Sequence, residues 1–113
     1  MSELDGRSAM VTGVGAGIGL ACVRSLADTG ASGHVVDREA DAARSAADEV
    51  GGHAHVIDLA QHETFEQLPR DVDILVNNAG IQHVSPVQDV PVDTFMLIQQ
   101  VMLTGPLVLA QRF

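Results

Sequence analysis

The sequence holds no lysine, no tyrosine and no tryptophan, and a single cysteine, Cys22. Without lysine there is no P-loop phosphate site and no lysine Schiff-base catalysis, since the first needs the lysine ammonium group and the second its free amine. The basic side chains are 6 arginines set against 15 carboxylates, a formal net charge of −9. That balance disfavours any non-specific hold on nucleic acid or on an anionic membrane surface. One cysteine cannot close an internal disulfide, which suits a reducing compartment. The opening Met1–Arg7 lacks the basic-then-apolar layout of a secretory signal. No unbroken apolar run approaches the ~18 residues that span a bilayer. With 113 residues, 46% of them apolar, the chain suffices for one core and is too short for two. The expectation is an acidic, soluble, cytoplasmic domain without nucleic-acid or membrane partners.

What is present alternates short apolar runs with helix-like stretches. Ser8–Thr12 is an apolar run ending in glycines and reads as a buried strand. From Gly17 to Thr29 the apolar residues recur at helical spacing, and Gly30 closes that helix. His34–Val36 gives a second strand that stops at Asp37. Glu39–Val50 is an alanine-rich helix with Asp41, Asp48 and Glu49 on a solvated face, ended by Gly51-Gly52. Ala54–Ile57 and Asp73–Asn77 supply a third and a fourth strand, and a weaker helix covers His62–Leu68 before Pro69. Pro91–Phe113 is helical in pattern, with a break or kink expected at Gly105-Pro106. Such alternation predicts right-handed crossovers and a parallel sheet, and strands apolar at successive positions predict cover on both faces. The fold class is a doubly wound α/β sheet.

Thr12-Gly13-Val14-Gly15-Ala16-Gly17-Ile18-Gly19 falls where the first strand meets the first helix. A pyrophosphate can reach a helix N-terminus only where side chains leave room, and there it meets free N–H groups and the positive end of the helix dipole. For a chain this acidic, uncharged donors are a natural way to hold a dianion. The G-x-G-x-x-G spacing is not met; the pattern present is T-G-x-x-x-G-x-G. Asp37 lies 24 positions after Gly13, at the end of the second strand. A carboxylate there can accept from the adenosine ribose hydroxyls and repels a 2′-phosphate, which favours NAD over NADP. Arg38 beside it is able to bind a 2′-phosphate, and close repulsion from Asp37 is expected to win. Asp58 and Leu59 end the third strand, where Asp58 either accepts from an adenine amino group or caps a turn.

Together with Asn77-Asn78-Ala79-Gly80 after the fourth strand, these motifs resemble the short-chain dehydrogenase/reductase family over essentially the whole chain. The resemblance implies the Rossmann-type sheet and cofactor contacts at Gly13, Ala16, Gly17, Ile18, Gly19, Asp37, Asp58, Leu59, Asn78, Ala79 and Gly80. It also implies that Asn77 helps hold the central sheet and that the backbone of Asn78–Gly80 lies along the cofactor ribose. A narrower likeness, over Gly80–Val87, is to D-3-hydroxybutyrate dehydrogenases. It implies that Gln82 helps bind a substrate carboxylate, as a neutral amide donor can, the alternative being a solvated loop residue. Met102 stands where most members carry an Asn of the proton relay.

The family's acid/base is a tyrosine whose pKa, ordinarily about 10, is lowered by a lysine four residues on. This sequence has neither, so no catalytic residue is assigned. Residues 1–113 are expected to be the NAD-binding, N-terminal part of such a protein, without its catalytic half. Two functions stay open. One is an NAD-dependent oxidoreductase acting on 3-hydroxybutyrate or a similar small hydroxy acid or ketone. The other is a non-catalytic dinucleotide-binding chain acting by association. The last helix, with Phe95, Ile98, Met102, Leu107 and Leu109, resembles the segment that family members use for subunit packing, and the resemblance implies a homo-oligomer or, failing that, poor solubility. His53 and His55 share a face of an extended segment, but the sequence supplies no convincing further ligands, so no metal is assigned. His83 is left without a role, and Cys22 reads as core.

Overall fold

The computed structural model describes residues 2–15 and 17–113. Four parallel strands form one sheet in the order β3-β2-β1-β4: β1 (Ser8–Thr12), β2 (Ser32–Asp37), β3 (His53–Val56) and β4 (Ile74–Val76). The register sets Met10 beside both His34 and Leu75, and His34 beside His53. Crossovers α1 (Gly17–Asp28) and α2 (Ala40–Val50) cover one face. There Val11, Val14, Val23, Val35, Ala46 and Ala47 make one core cluster. The opposite face carries Met10, Val36, Ile57, Leu59, Phe65, Leu68, Val101 and Leu109. Burial on both faces is why the central strands are apolar at successive positions. Cys22 packs at the margin of the first cluster, as a small apolar side chain does.

Boundaries differ from the sequence expectation in instructive places. β2 is longer than His34–Val36 because its backbone continues to pair with β1 from Ser32 onwards. β3 starts at His53 and ends at Val56, set by its pairing with β2 rather than by its apolar residues. β4 keeps only Ile74–Val76 of the five residues expected, since β1 is its one neighbour in the sheet and pairs with it at three positions. His62–Gln67 is a 3-10 helix rather than an α-helix.

Of the break or kink expected at Gly105-Pro106, the break does not occur, and the irregularity is a π-turn just before it. A single helical run spans Val92–Arg112: α3 (Val92–Gln99), a π-turn over Gln100–Thr104, then α4 (Gly105–Arg112). Pro106 has no N–H for the carbonyl one turn back, so the helix widens and the Gly105 N–H reaches the Gln100 carbonyl. By length and mean hydropathy (21 residues, 1.4) this run could cross a membrane, although Gln99-Gln100 and Thr104-Gly105-Pro106 interrupt its apolar sequence. Here Val101 and Leu109 are buried against the sheet, while α3 buries no residue. Arg112 ties the end of the run to the body by donating to the carbonyls of Glu66 and Leu68.

Leu109 anchors this helix and is fully buried, whereas Leu103 is 65% exposed. Leu109→Ala is expected to lower unfolding free energy by about 2–5 kcal/mol, and Leu103→Ala by no more than about 0.5 kcal/mol. Urea denaturation of the two variants checks the contrast.

Candidate functional site

The sheet changes winding direction at β1, which has β2 on one side and β4 on the other. In open α/β sheets that switch point leaves a crevice beyond the carboxyl ends of the strands. The chain leaves β1 through Thr12 and Gly13, and it leaves β4 through Asn77–Gly80. The two exits are locked together. The Thr12 hydroxyl, 1% exposed, accepts from the main-chain N–H of Asn78 at 3.1 Å and of Ala79 at 3.0 Å. The Asn78 side-chain amide donates to the Gly13 carbonyl at 3.0 Å, and the Gly13 N–H donates to the Val36 carbonyl at 2.9 Å.

Glycine is required at two positions of this junction. Gly13 has φ +73°, and a Cβ there would sit 2.8 Å from the Ala79 Cα. A Cβ on Gly19 would lie 2.0 Å from the Gly13 carbonyl oxygen and 2.6 Å from the Asn78 amide nitrogen. So the first turn of α1 presses directly onto the β1 exit. Gly17 and Ile18, at the start of α1, are exposed, Ile18 to 74%. An apolar side chain left in solvent beside unpaired helix N–H groups is a ready contact for a bound molecule. Ala16, expected in the same loop, lies outside the described residues.

A cleft of about 200 Å³ opens beside this junction. Gly13, Asp37, Asp58, Leu59, Ala79 and Gly80, all named from the sequence as candidate cofactor contacts, line it. Asp37 is held on two sides: Oδ2 accepts from the Val14 N–H at 3.1 Å and Oδ1 from the Glu39 N–H at 2.9 Å. Each oxygen retains a lone pair, so the carboxylate is oriented yet still able to accept. Asp58 both faces the cleft and caps its own turn, with Oδ1 accepting from the Ala60 N–H at 2.9 Å. Of the two alternatives for this residue, the turn cap is the one its hydrogen bond shows.

Other expectations shift. The side chain that ties the loops belongs to Asn78; Asn77, to which a sheet-holding role was assigned, is exposed. A side chain changes sides at each step of an extended segment, and it is Asn78 that faces the Gly13 carbonyl. Gln82 is exposed and outside the lining of the cleft, where its neighbour Ile81 takes part. Sequence reasoning missed the apolar walls Val36, Ile57, Ile81, Leu97 and Val101. It also missed the clamp made by Thr12. A hydroxyl at the end of a buried strand, directly before a glycine, is the signal that could have found it. Met102 packs near Gly80: a Cβ built on that glycine would meet the Met102 methyl at 3.4 Å.

Glycine-cleared helix N–H groups, an apolar slot and an oriented carboxylate at its rim suit the adenosine and phosphate parts of a dinucleotide. A parallel sheet with that crevice at its switch point is the arrangement of Rossmann-like α/β proteins. Residues 7–113 match the short chain dehydrogenase family, and the chain belongs to it. It is 40% identical over 112 residues to the uncharacterized oxidoreductase YxjF of Bacillus subtilis, covering 88% of this chain and 44% of that protein. It is 37% identical over 116 residues to D-beta-hydroxybutyrate dehydrogenase of Cupriavidus necator, covering 90% of this chain and 44% of that protein. Among solved structures, a protein of Beutenbergia cavernae described as an NAD(P)-dependent gluconate 5-dehydrogenase, with NADP bound at low occupancy, superposes with a TM-score of 0.83. The two are 37% identical, and the match covers 97% of this chain and 48% of that one. The chain thus spans less than half the length of these curated relatives.

Thr12→Val keeps the shape and removes the acceptor, leaving two N–H groups at the junction unsatisfied. We expect a loss of about 1–3 kcal/mol of stability. Thr12→Ser, which keeps the hydroxyl, should restore most of it in thermal unfolding.

Proposed function

We propose that this chain is the NAD-binding part of a short-chain oxidoreductase that acts on a small hydroxy acid or its ketone, with 3-hydroxybutyrate as the candidate substrate. One observation carries the cofactor choice. Asp37 stands at the rim of the cleft with both carboxylate oxygens fixed by main-chain donors. Held this way, it offers acceptors to ribose hydroxyls and opposes a 2′-phosphate. Arg38 lines the same cleft and would favour NADP, but its side chain is largely exposed and its Glu39 partner lies 3.8 Å away, whereas the Asp37 carboxylate is fixed at the rim. A bound nicotinamide cofactor supplies the hydride acceptor or donor. The residues of this chain bind and orient: helix N–H groups at α1 meet phosphate, and Val36, Ile57 and Leu59 exclude water from the base. Gln82 is the residue proposed to meet a substrate carboxylate, and the similarity to the Cupriavidus necator enzyme supports that substrate class.

A second reading, a dinucleotide-binding chain without catalysis of its own, is favoured by the lack of any tyrosine or lysine. Self-association fits either reading, because Phe95, Met96, Leu103 and Leu107 leave an apolar helix face more than half exposed.

Calorimetry should show NADH binding to the 113-residue chain at least tenfold tighter than NADPH, a difference of about 1.4 kcal/mol. Asp37→Ala should narrow that gap. Equal or reversed preference sinks the NAD assignment, and no binding of either nucleotide sinks the site. The same material should not reduce NAD with 3-hydroxybutyrate; turnover above a no-protein control would show that acid/base chemistry is present after all.

A further inference from the structure

On the sheet face opposite α1 and α2, the fold brings His34 onto the His53/His55 pair, from which the sequence keeps it apart. His34 on β2 is the register partner of His53 on β3, and His55 follows two residues later on the same face of β3. The His34 and His53 rings stack at 4.9 Å between centroids, and the His34 and His55 rings at 5.3 Å. The Nδ1 of His34 lies 3.1 Å from the Nε2 of His55 in a shared hydrogen bond. Nothing in the nucleotide cleft uses these residues.

We propose that His34, His55 and His53 form a site for one divalent late transition-metal ion, of the Zn2+ class, that ties β2 to the edge strand β3.

The spacing is the first argument. A metal about 2.0–2.1 Å from each of two imidazole nitrogens, at an ordinary coordination angle, holds those nitrogens about 3.0–3.4 Å apart. The His34–His55 pair already has that separation. Binding replaces the shared hydrogen bond: the donor ring moves its proton to its other nitrogen, and no proton need be lost. Both rings are held toward the neutral, ligating form, His34 by burial and then by His53, His55 by burial and then by His34 and His53. As found, the rings are stacked, and among the described residues no three His, Cys, Asp or Glu side chains converge on one point. His53 is exposed at the sheet edge, so turning its ring inward displaces no core packing. The second argument is access and charge. His34 lines an open cavity together with Arg7, Asp71 and Asp73, a way in from solvent. Asp71 favours positive charge at His34. Three imidazoles with few carboxylates select Zn2+, Ni2+ or Cu2+ over Mg2+ or Ca2+.

The test is titration of Zn2+ into the 113-residue chain by calorimetry, followed by thermal unfolding with and without EDTA. One equivalent should bind, and the melting temperature should rise reversibly. Loss of an outer-sphere partner of a metal ligand already costs tenfold or more, so His34→Ala and His55→Ala should each weaken binding on the order of tenfold or beyond. His53→Ala, at an exposed position, should weaken it without unfolding the chain. His83→Ala should change nothing. If the His34 or His55 variants fail to fold, imidazole NMR of the unaltered chain decides: shifts on adding Zn2+ should fall on His34, His53 and His55. No saturable binding, binding undiminished by His53→Ala, or shifts confined to His62 and His83 would each overturn the site. The nucleotide cleft is read separately by NADH binding, so neither result depends on the other.

Discussion

The chain's architecture turns on a single buried hydroxyl. Thr12 ends β1 inside the protein, and its oxygen accepts two consecutive N–H groups from the exit of β4. Without that oxygen the β4 exit would have to find other acceptors for both donors in a part-buried junction. Because they are satisfied by one side chain, the backbones can close to the distance at which Gly13 admits no Cβ against Ala79. The start of α1 then packs onto the same point through Gly19. Crevice, helix terminus and strand exits are therefore one mechanical unit, and the cleft takes its shape from it.

That unit explains how so acidic a chain can suit an anionic ligand. It contributes no lysine, and Arg38, the arginine lining the cleft, has a largely exposed side chain beside Glu39. The positive potential has to come from main-chain N–H groups and the helix dipole, which carry no net charge and need only be left uncovered. The carboxylate of Asp37, fixed by two such groups, is the feature on which the proposed preference between sugars rests.

The long helix shows a different economy. Its sequence contains a glycine and a proline that ought to stop it, yet the run continues because one wide turn absorbs the missing donor. Val101 and Leu109 hold the second half against the sheet, and the first half stands with no buried residue. The outer edge of β4 likewise has no strand beside it among the described residues. An unpaired edge and an uncovered apolar face are features that proteins ordinarily cover. They agree with a chain that spans under half the length of its curated relatives.

Much was legible beforehand because it depends on local spacing. The order of elements, the parallel sheet, the glycine loop at the β1–α1 junction and Asp37 at the end of β2 all follow from apolar periodicity and from where glycines interrupt it. Asp58 and Ala79-Gly80, singled out through family likeness, line the same cleft as Gly13 and Asp37. What escaped was decided by contacts between distant segments: which asparagine, Asn77 or Asn78, faces the Gly13 carbonyl, the double acceptance by Thr12, the apolar walls of the cleft, and the meeting of His34 with His53 and His55. Sequence determines the periodicities, since each follows from the geometry of a single strand or helix. Only the tertiary structure sets strand register and the rotation of each side chain, because a shift of one residue sends every side chain to the opposite face.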